Sequence, residues 1–399
     1  MRDAHREGRS TLLRRPAPLL ALVAFAIGTT WSAAVHARAF QVACDVSALY
    51  EAMNEASANG EEDVLWLARS CQYPLTGILI AYPDGGFALT VQGNGSTISG
   101  QNQRTAFLVN PGATLFLNDV TVTQGRAGPT ASGDGGAIYN AGSLTLTRST
   151  VSDSVARSGG GIFNVAGASL TLIESTVAGN TAGENGGGIR NQDGRLTLIQ
   201  STVSGNAANG QNGMGGGVYN EDTSGMPARA TATLSNCTIS GNASRFGAGL
   251  MNDEGKATVS NCTLADNTTV GGGNGGGIYH RNYSGNARLR LGLSILANTQ
   301  GGGLECARDP SVPSNAITPT GDNLVEDASC QIANSWSGDP KLGELTGSPA
   351  YRPLLAGSPV IDLGQNTNCA GVDQRGAARP KDGNADGSLL CDLGAFEAP

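Results

Sequence analysis

Gly136-Ala-Ile-Tyr-Asn140, Gly160-Gly-Ile-Phe-Asn164, Gly187-Gly-Ile-Arg-Asn191, Gly216-Gly-Val-Tyr-Asn220, Ala248-Gly-Leu-Met-Asn252 and Gly276-Gly-Ile-Tyr-His280 are six versions of one segment, spaced 24, 27, 29, 32 and 28 residues apart. A second block follows each, as in Leu144-Thr-Leu-Thr-Arg-Ser-Thr-Val151, Leu170-Thr-Leu-Ile-Glu-Ser-Thr-Val177 and Leu196-Thr-Leu-Ile-Gln-Ser-Thr-Val203. Both blocks alternate with period two, so each is a strand with one apolar face. Leu146, Leu172, Leu198, Leu234 and Val259 make one inward column, and Val151, Val177, Val203, Ile239 and Leu264 another. A short strand of this kind cannot bury its apolar face alone. Stacking each repeat on the last at about 4.8 Å gives continuous parallel sheets around a continuous core. The period is too short for helix-pair repeats and lacks their 3.6-residue apolar spacing, and the L-x-x-L-x-L pattern of leucine-rich repeats is absent. Because parallel crossovers are right-handed in nearly all cases, the predicted fold is an all-β, right-handed parallel β-helix solenoid.

The rest of the chain agrees with an exported solenoid. With 59 glycines, 16 prolines and no strict Gly-X-Y period among 399 residues, collagen is excluded, and the regular Val, Ile and Leu argue against disorder. A net charge of -8, with no Lys/Arg cluster beyond the N-terminal segment, gives no electrostatic footprint for nucleic acid or an anionic membrane. Residues 1–37 read as a signal peptide: Arg2, Arg6, Arg9, Arg14 and Arg15, then the apolar stretch from Leu19 to Ile27, then Val35-His36-Ala37 as a small-residue cleavage site. No second hydrophobic segment follows, so the mature chain is expected to be a monomer without a transmembrane segment, secreted or held at the cell surface in an oxidising space. All eight cysteines lie beyond Ala37. Spacing does not fix connectivity, but their distribution suggests Cys44 with Cys71, Cys306 with Cys330 and Cys369 with Cys391. Cys237 and Cys262 replace Ser149, Ser175 and Ser201 in a small inward column, and buried free thiols are the expectation for them.

Asparagines mark the turns. Asn140, Asn164, Asn191, Asn220 and Asn252 follow the first block, and Asn180, Asn206, Asn242 and Asn267 the second. Stacked amides bond backbone and one another, and Asn tolerates left-handed φ, so both rows read as structural ladders.

A solenoid must hide its open ends. Val46 to Ala58 reads as an amphipathic helix with Asp45 or Ser47 as N-cap, Leu49, Ala52 and Met53 on one face and Asn59-Gly60 as its stop, placed over a first coil containing Val64-Leu-Trp-Leu67. The segment Cys44-Asp-Val-Ser-Ala-Leu-Tyr-Glu-Ala52 resembles the N-terminal cap motif of secreted β-helix proteins. At the other end, Asn323-Leu, Gly338-Asp-Pro-Lys-Leu342, Ser358-Pro-Val-Ile-Asp362, Asp373-Gln-Arg-Gly376, Arg379-Pro380 and Asp392-Leu-Gly-Ala-Phe-Glu397 together resemble the choice-of-anchor Q module of bacterial exported β-helix proteins, which have a pectin-lyase-like fold. In that family the module precedes a cell-surface sorting signal. No such signal is visible after Glu397, so the resemblance leaves the mode of attachment open. The expected organisation is a signal peptide over 1–37, an N-terminal capping helix over 38–62, the parallel β-helix over 63–305 and a disulfide-containing C-terminal module or cap over 306–399.

Enzymatic β-helices supply a test for catalysis. Polygalacturonase-like hydrolysis needs paired carboxylates in Asn-Thr-Asp and Gly-Asp-Asp segments with Gly-His-Gly, and none of these occurs. Pectate-lyase-like elimination needs calcium carboxylates and an Arg or Lys base on adjacent coils. Asp193, Glu221, Asp222, Asp253 and Glu254 follow the first Asn row and make an acidic turn ridge with Arg190 nearby, whose ordinary reading is a solvated surface. His280, which ends that row, is the sole histidine beyond the leader and reads as a turn side chain. The outward column Tyr139, Phe163, Arg190, Tyr219, Met251 and Tyr279 is the expected ligand surface, because stacked aromatic faces suit sugars or an extended peptide. Outward Thr145, Thr171, Thr197, Thr233 and Thr258, and Thr150, Thr176, Thr202, Thr238 and Thr263, reflect β propensity. Asp382-Gly-Asn-Ala-Asp-Gly387 resembles the first half of a calcium loop, with Asp382, Asn384, Asp386 and the adjacent Asp392 as candidate ligands and calcium as the one cofactor expected. The function these features predict is non-catalytic, adhesin-like binding of polysaccharide or another cell-surface ligand. The alternatives are a polysaccharide lyase or glycoside hydrolase using the acidic ridge, and a purely structural envelope protein.

Overall fold

The computed structural model describes residues 37–399 apart from 58, 129–132, 225–228, 311 and 313–315. Of the leader expected over 1–37, all but Ala37 lies outside the described residues. Each central coil contributes three segments. One is a short strand such as Ile162–Asn164; next come the pair Ser169–Ile173 and Thr176–Ala178; last is a two-residue strand such as Thr181–Ala182. Stacked in parallel, these give sheets of nine, twenty and five strands among the described residues. Register is strict: Leu172 lies between Leu146 and Leu198, and Val177 between Val151 and Val203. These side chains are fully buried, which is the physical reason register cannot slip, since a one-residue shift would turn every one of them outward.

The two Asn rows run through the interior as continuous amide ladders. Asn140 Nδ2 donates to Asn164 Oδ1 at 2.6 Å, Asn164 to Asn191 at 2.6 Å, Asn191 to Asn220 at 2.7 Å and Asn220 to Asn252 at 2.8 Å. The second row runs from Asn180 through Asn206 and Asn242 to Asn267 with 3.0 Å steps. Left-handed φ is taken not by these residues but by Arg148, Glu174 and Gln200, at 47°, 49° and 49°, where the chain bends between the paired strands. The ladders sit where the chain enters and leaves the strands, so their amides satisfy backbone groups that no sheet reaches.

The N-terminal segment differs from a plain capping helix. Arg38–Val42 is itself a rung, parallel to Asp63–Leu67 with Phe40 opposite Leu65. The helix Val46–Ala56 follows, capped by the Asp45 carboxylate accepting from Ser47 N at 3.2 Å, and it lays Leu49, Ala52, Met53 and Ala56 over the core. The Cys44–Cys71 disulfide ties its start to the next turn.

The C-terminal boundary also moves. Rungs continue beyond residue 305, through Cys306–Arg308, Ile317–Pro319, Asn323–Val325 and Ser335–Trp336, with Cys306–Cys330 joining the last coils. Residues 340–399 then double back along the flank as an arm. The cause is visible in one outward column. Thr150, Thr176, Thr202, Thr238 and Thr263 are hydroxyl-bearing, but the next rungs carry Ile295 and Leu324 in register. Together with Leu293 and Ala297 these form an outward apolar patch, and the arm covers it with Leu354, Val360, Leu393, Phe396 and Ala398, making a second core. At about 1.5–3 kcal/mol for each large side chain buried, that patch is enough to hold the arm. Within the arm, Arg379 pairs with Glu397 at 2.7 Å, both side chains fully buried, and Cys369–Cys391 closes a loop.

Candidate ligand-binding cleft

The aromatic column expected to face a ligand is assembled in register, but most of it is covered. Phe163, Tyr219 and Met251 are buried, and Tyr139, Arg190 and Tyr279 are half-buried. The reason is the glycine ahead of each strand. Gly186 and Gly215 take left-handed φ of 66° and 65°, folding the preceding loop over the column so closely that an added Cβ would lie 2.7 Å from Arg190 Cβ and 2.6 Å from Tyr219 Cβ. Tyr139 meets Phe163 edge-on at 5.5 Å, and the Arg190 guanidinium lies 5.2 Å from the Phe163 ring and 5.8 Å from that of Tyr219. Tyr219 donates to Asp253 Oδ2 at 2.8 Å, and burial beside that carboxylate pushes its hydroxyl far up. Phe163 and Tyr219 are therefore packing residues, a correction to the expected continuous sugar-stacking surface.

The acidic ridge is likewise consumed by structure. Glu221 pairs with Arg190 at 2.7 Å, and Asp253 accepts both from Arg281 and from Tyr219. Asp193 accepts from Thr223 N at 2.8 Å and Ser224 N at 3.2 Å. Asp222 accepts from Ser224 N and Ala230 N, both at 3.0 Å, and Glu254 from Tyr283 N at 2.5 Å and Ser284 N at 3.0 Å. These carboxylates fasten the loops that follow them. His280 closes the first Asn ladder, its Nδ1 3.1 Å from Asn252 Nδ2 and its Nε2 buried without a partner; burial drives its pKa down to about 4.

Of the four candidate calcium ligands, Asp382, Asn384 and Asp386 share one tight loop and Asp392 lies outside it. Asp382 accepts from Asp386 N and Gly387 N, both at 3.0 Å, Asn384 from Asp386 N at 2.9 Å and Asp386 from Ser388 N at 2.8 Å, so the loop is closed by its own amides. Asp392 faces elsewhere, accepting from Asp362 N at 2.8 Å and from Ala398 N at 2.5 Å, and burial raises its carboxyl to about 7. Among the described residues no three His, Cys, Asp or Glu side chains form a metal-holding group. Cys237 and Cys262 are free and buried, Cys237 N reaching Cys262 Sγ at 3.4 Å, and burial pushes the Cys262 thiol well up.

A site absent from the sequence reading lies where the arm meets the flank. Gln374 donates to Thr202 Oγ1 at 3.0 Å and Ala350 O at 2.9 Å and accepts from Thr238 Oγ1 at 2.5 Å; Gln200 donates to Asp373 O at 3.0 Å, and Asn236 to Val372 O at 3.0 Å. These bonds leave a cleft of about 430 Å³ lined by Glu174, Gln200, Ser348, Pro349, Tyr351, Gln374, Arg375 and Gly376. Its aromatic wall is rigid: Tyr351 stacks on Phe396 at 5.5 Å, and the Arg375 guanidinium sits 3.8 Å over Phe396 and 5.3 Å from Tyr351. Arg375 is already neutralised by Asp373 at 2.7 Å and donates to Glu397 O at 2.6 Å. Well over a hundred residues of chain separate Glu174 and Gln200 from the arm, which is why spacing could not join them. The available signals were the Asp373-Gln-Arg-Gly376 segment and the switch of the outward threonine column to Ile295 and Leu324.

No protein-family model and no curated protein matches the chain. Among solved structures, the crystal structure of pectate lyase Pel9A is similar with a TM-score of 0.52 at 14% identity, covering 92% of this chain and 98% of that one. The likeness establishes a pectin-lyase-like parallel β-helix fold.

Proposed function

We propose that this protein is an exported, non-catalytic solenoid that binds polysaccharide at the cell surface, and that the cleft between arm and flank is its binding site. The observation that carries this reading is a fixed, half-enclosed cleft with one aromatic wall, Tyr351, and a polar lining of Glu174, Gln200, Gln374 and Arg375. Sugars are held by that combination: an aromatic face takes the C–H surface of the ring while amides and carboxylates take its hydroxyls. Three disulfides, and the absence of any helix among the described residues long and apolar enough to cross a membrane, fit an extracellular setting. Resemblance of the arm to a choice-of-anchor Q module supports residence at the surface. The ridge carboxylates support a non-catalytic role, because each already serves an arginine or a loop amide.

The test is affinity electrophoresis of the mature chain in gels containing soluble polysaccharides, beside assays for new reducing ends and unsaturated uronates. Retardation without turnover is the expected outcome, lost in Tyr351→Ala provided its melting temperature shows the arm still docked. Release of reducing ends or unsaturated products would make the protein an enzyme and overturn the proposal.

A further inference from the structure

The chemistry of the cleft goes further than its shape, and resting on the polysaccharide reading we infer that its ligand is an uncharged glycan, not a polyuronate. Three observations combine. The one cationic side chain in the lining, Arg375, has its charge balanced by Asp373 through Nε and Nη2, Nη2 also donates to Glu397 O, and its face lies on Phe396, so an incoming carboxylate would compete with one already in place. Opposite it, Glu174 sits half-buried on a left-handed bend, which fixes its backbone at the cleft wall. Any uronate residue in the cleft would lie close to this charge, in a protein of net charge -8.

The remaining contacts are neutral. Thr176 is in register with Thr202, whose hydroxyl the arm occupies, so Thr176 is the first rung of that column the arm leaves open. Thr150 and Thr121 continue the row beyond it, also half-buried. A chain of hydroxyl-bearing sugars leaving the cleft would therefore run onto a ladder of protein hydroxyls, which donate and accept equally well and carry no positive charge to favour a carboxylate.

The experiment compares galactomannan, polygalacturonate and chitosan as the gel-borne ligand for the full mature chain and for Glu174→Gln, Glu174→Lys and Thr176→Val. The native chain should bind galactomannan at least roughly tenfold more tightly than polygalacturonate. Glu174→Gln should narrow that ratio, Glu174→Lys should bring polygalacturonate to parity or beyond, and Thr176→Val should weaken galactomannan alone. Thermal unfolding of each variant separates these effects from loss of the arm. Equal or tighter binding of polygalacturonate by the native chain, preferential binding of chitosan, or a preference unmoved by Glu174→Lys overturns the inference while leaving the polysaccharide reading intact. Absence of retardation by all three glycans defeats both.

Discussion

At the residue scale, the ladder that ends in His280 makes a measurable prediction. The imidazole is fully buried, and its folded pKa of about 4 lies below its ordinary 6.5. The unfolded chain therefore binds the extra proton between those values, so the His280 contribution is present above pH 6.5 and is lost as pH falls toward 4, on the order of 3 kcal/mol in all. Glu305, raised by burial to about 7, acts in the opposite sense across part of this window, so the informative quantity is variant minus native. His280→Asn continues the amide row; in urea titrations it should gain on the native protein as pH is lowered from 7.5 to 4.5. An unchanged difference would show that the ring is not held neutral. Within the ladder, Asn206→Ala orphans its neighbours' amide groups and should cost about 1–3 kcal/mol by the same measurement.

At the scale of single elements, the loop before each aromatic-column strand depends on a left-handed glycine. Gly215→Ala meets Tyr219 Cβ at 2.6 Å in an unfavourable φ region, so it should lower stability by more than about 1 kcal/mol and expose the Tyr219 ring to solvent quenchers. The loop at residues 382–387 is a second such case. Its side-chain oxygens already accept the amides of Asp386, Gly387 and Ser388 and Asp392 is turned away, so titration of calcium into chelator-treated protein should give no heat and no thermal shift. A calcium-dependent rise in melting temperature abolished by Asp386→Ala would refute that expectation.

At the scale of the whole molecule, the second core is what fastens the arm to the solenoid. Arg379→Ala leaves Glu397 buried and unpaired, a loss of about 3–5 kcal/mol, and hydrogen exchange should rise first in Thr263–Ala265 and Ile295–Ala297 beneath the arm while strands near Leu146 stay protected. The general architecture was legible in the sequence because a strand's inward side is dictated locally: Leu172 is inward since it alternates with Thr171 and Ile173, whatever the rest of the chain does. The amide rows and inward thiols were legible for the same reason, since each recurs at one position of the repeat. Burial of Phe163 and Tyr219 was not, because outward on a strand means only away from the core, and whether a loop then crosses depends on the left-handed φ of Gly159, 62°, and of Gly215, 65°. Nor was the cleft, whose walls Glu174 and Tyr351 meet only after the chain has turned back on itself. Sequence alone determined the parallel solenoid, because a period-two apolar face repeated coil after coil has nowhere to go but onto its copy. Only tertiary structure decided where a ligand can enter, because the arm's position follows from covering Ile295 and Leu324, a contact between distant segments that no local pattern encodes.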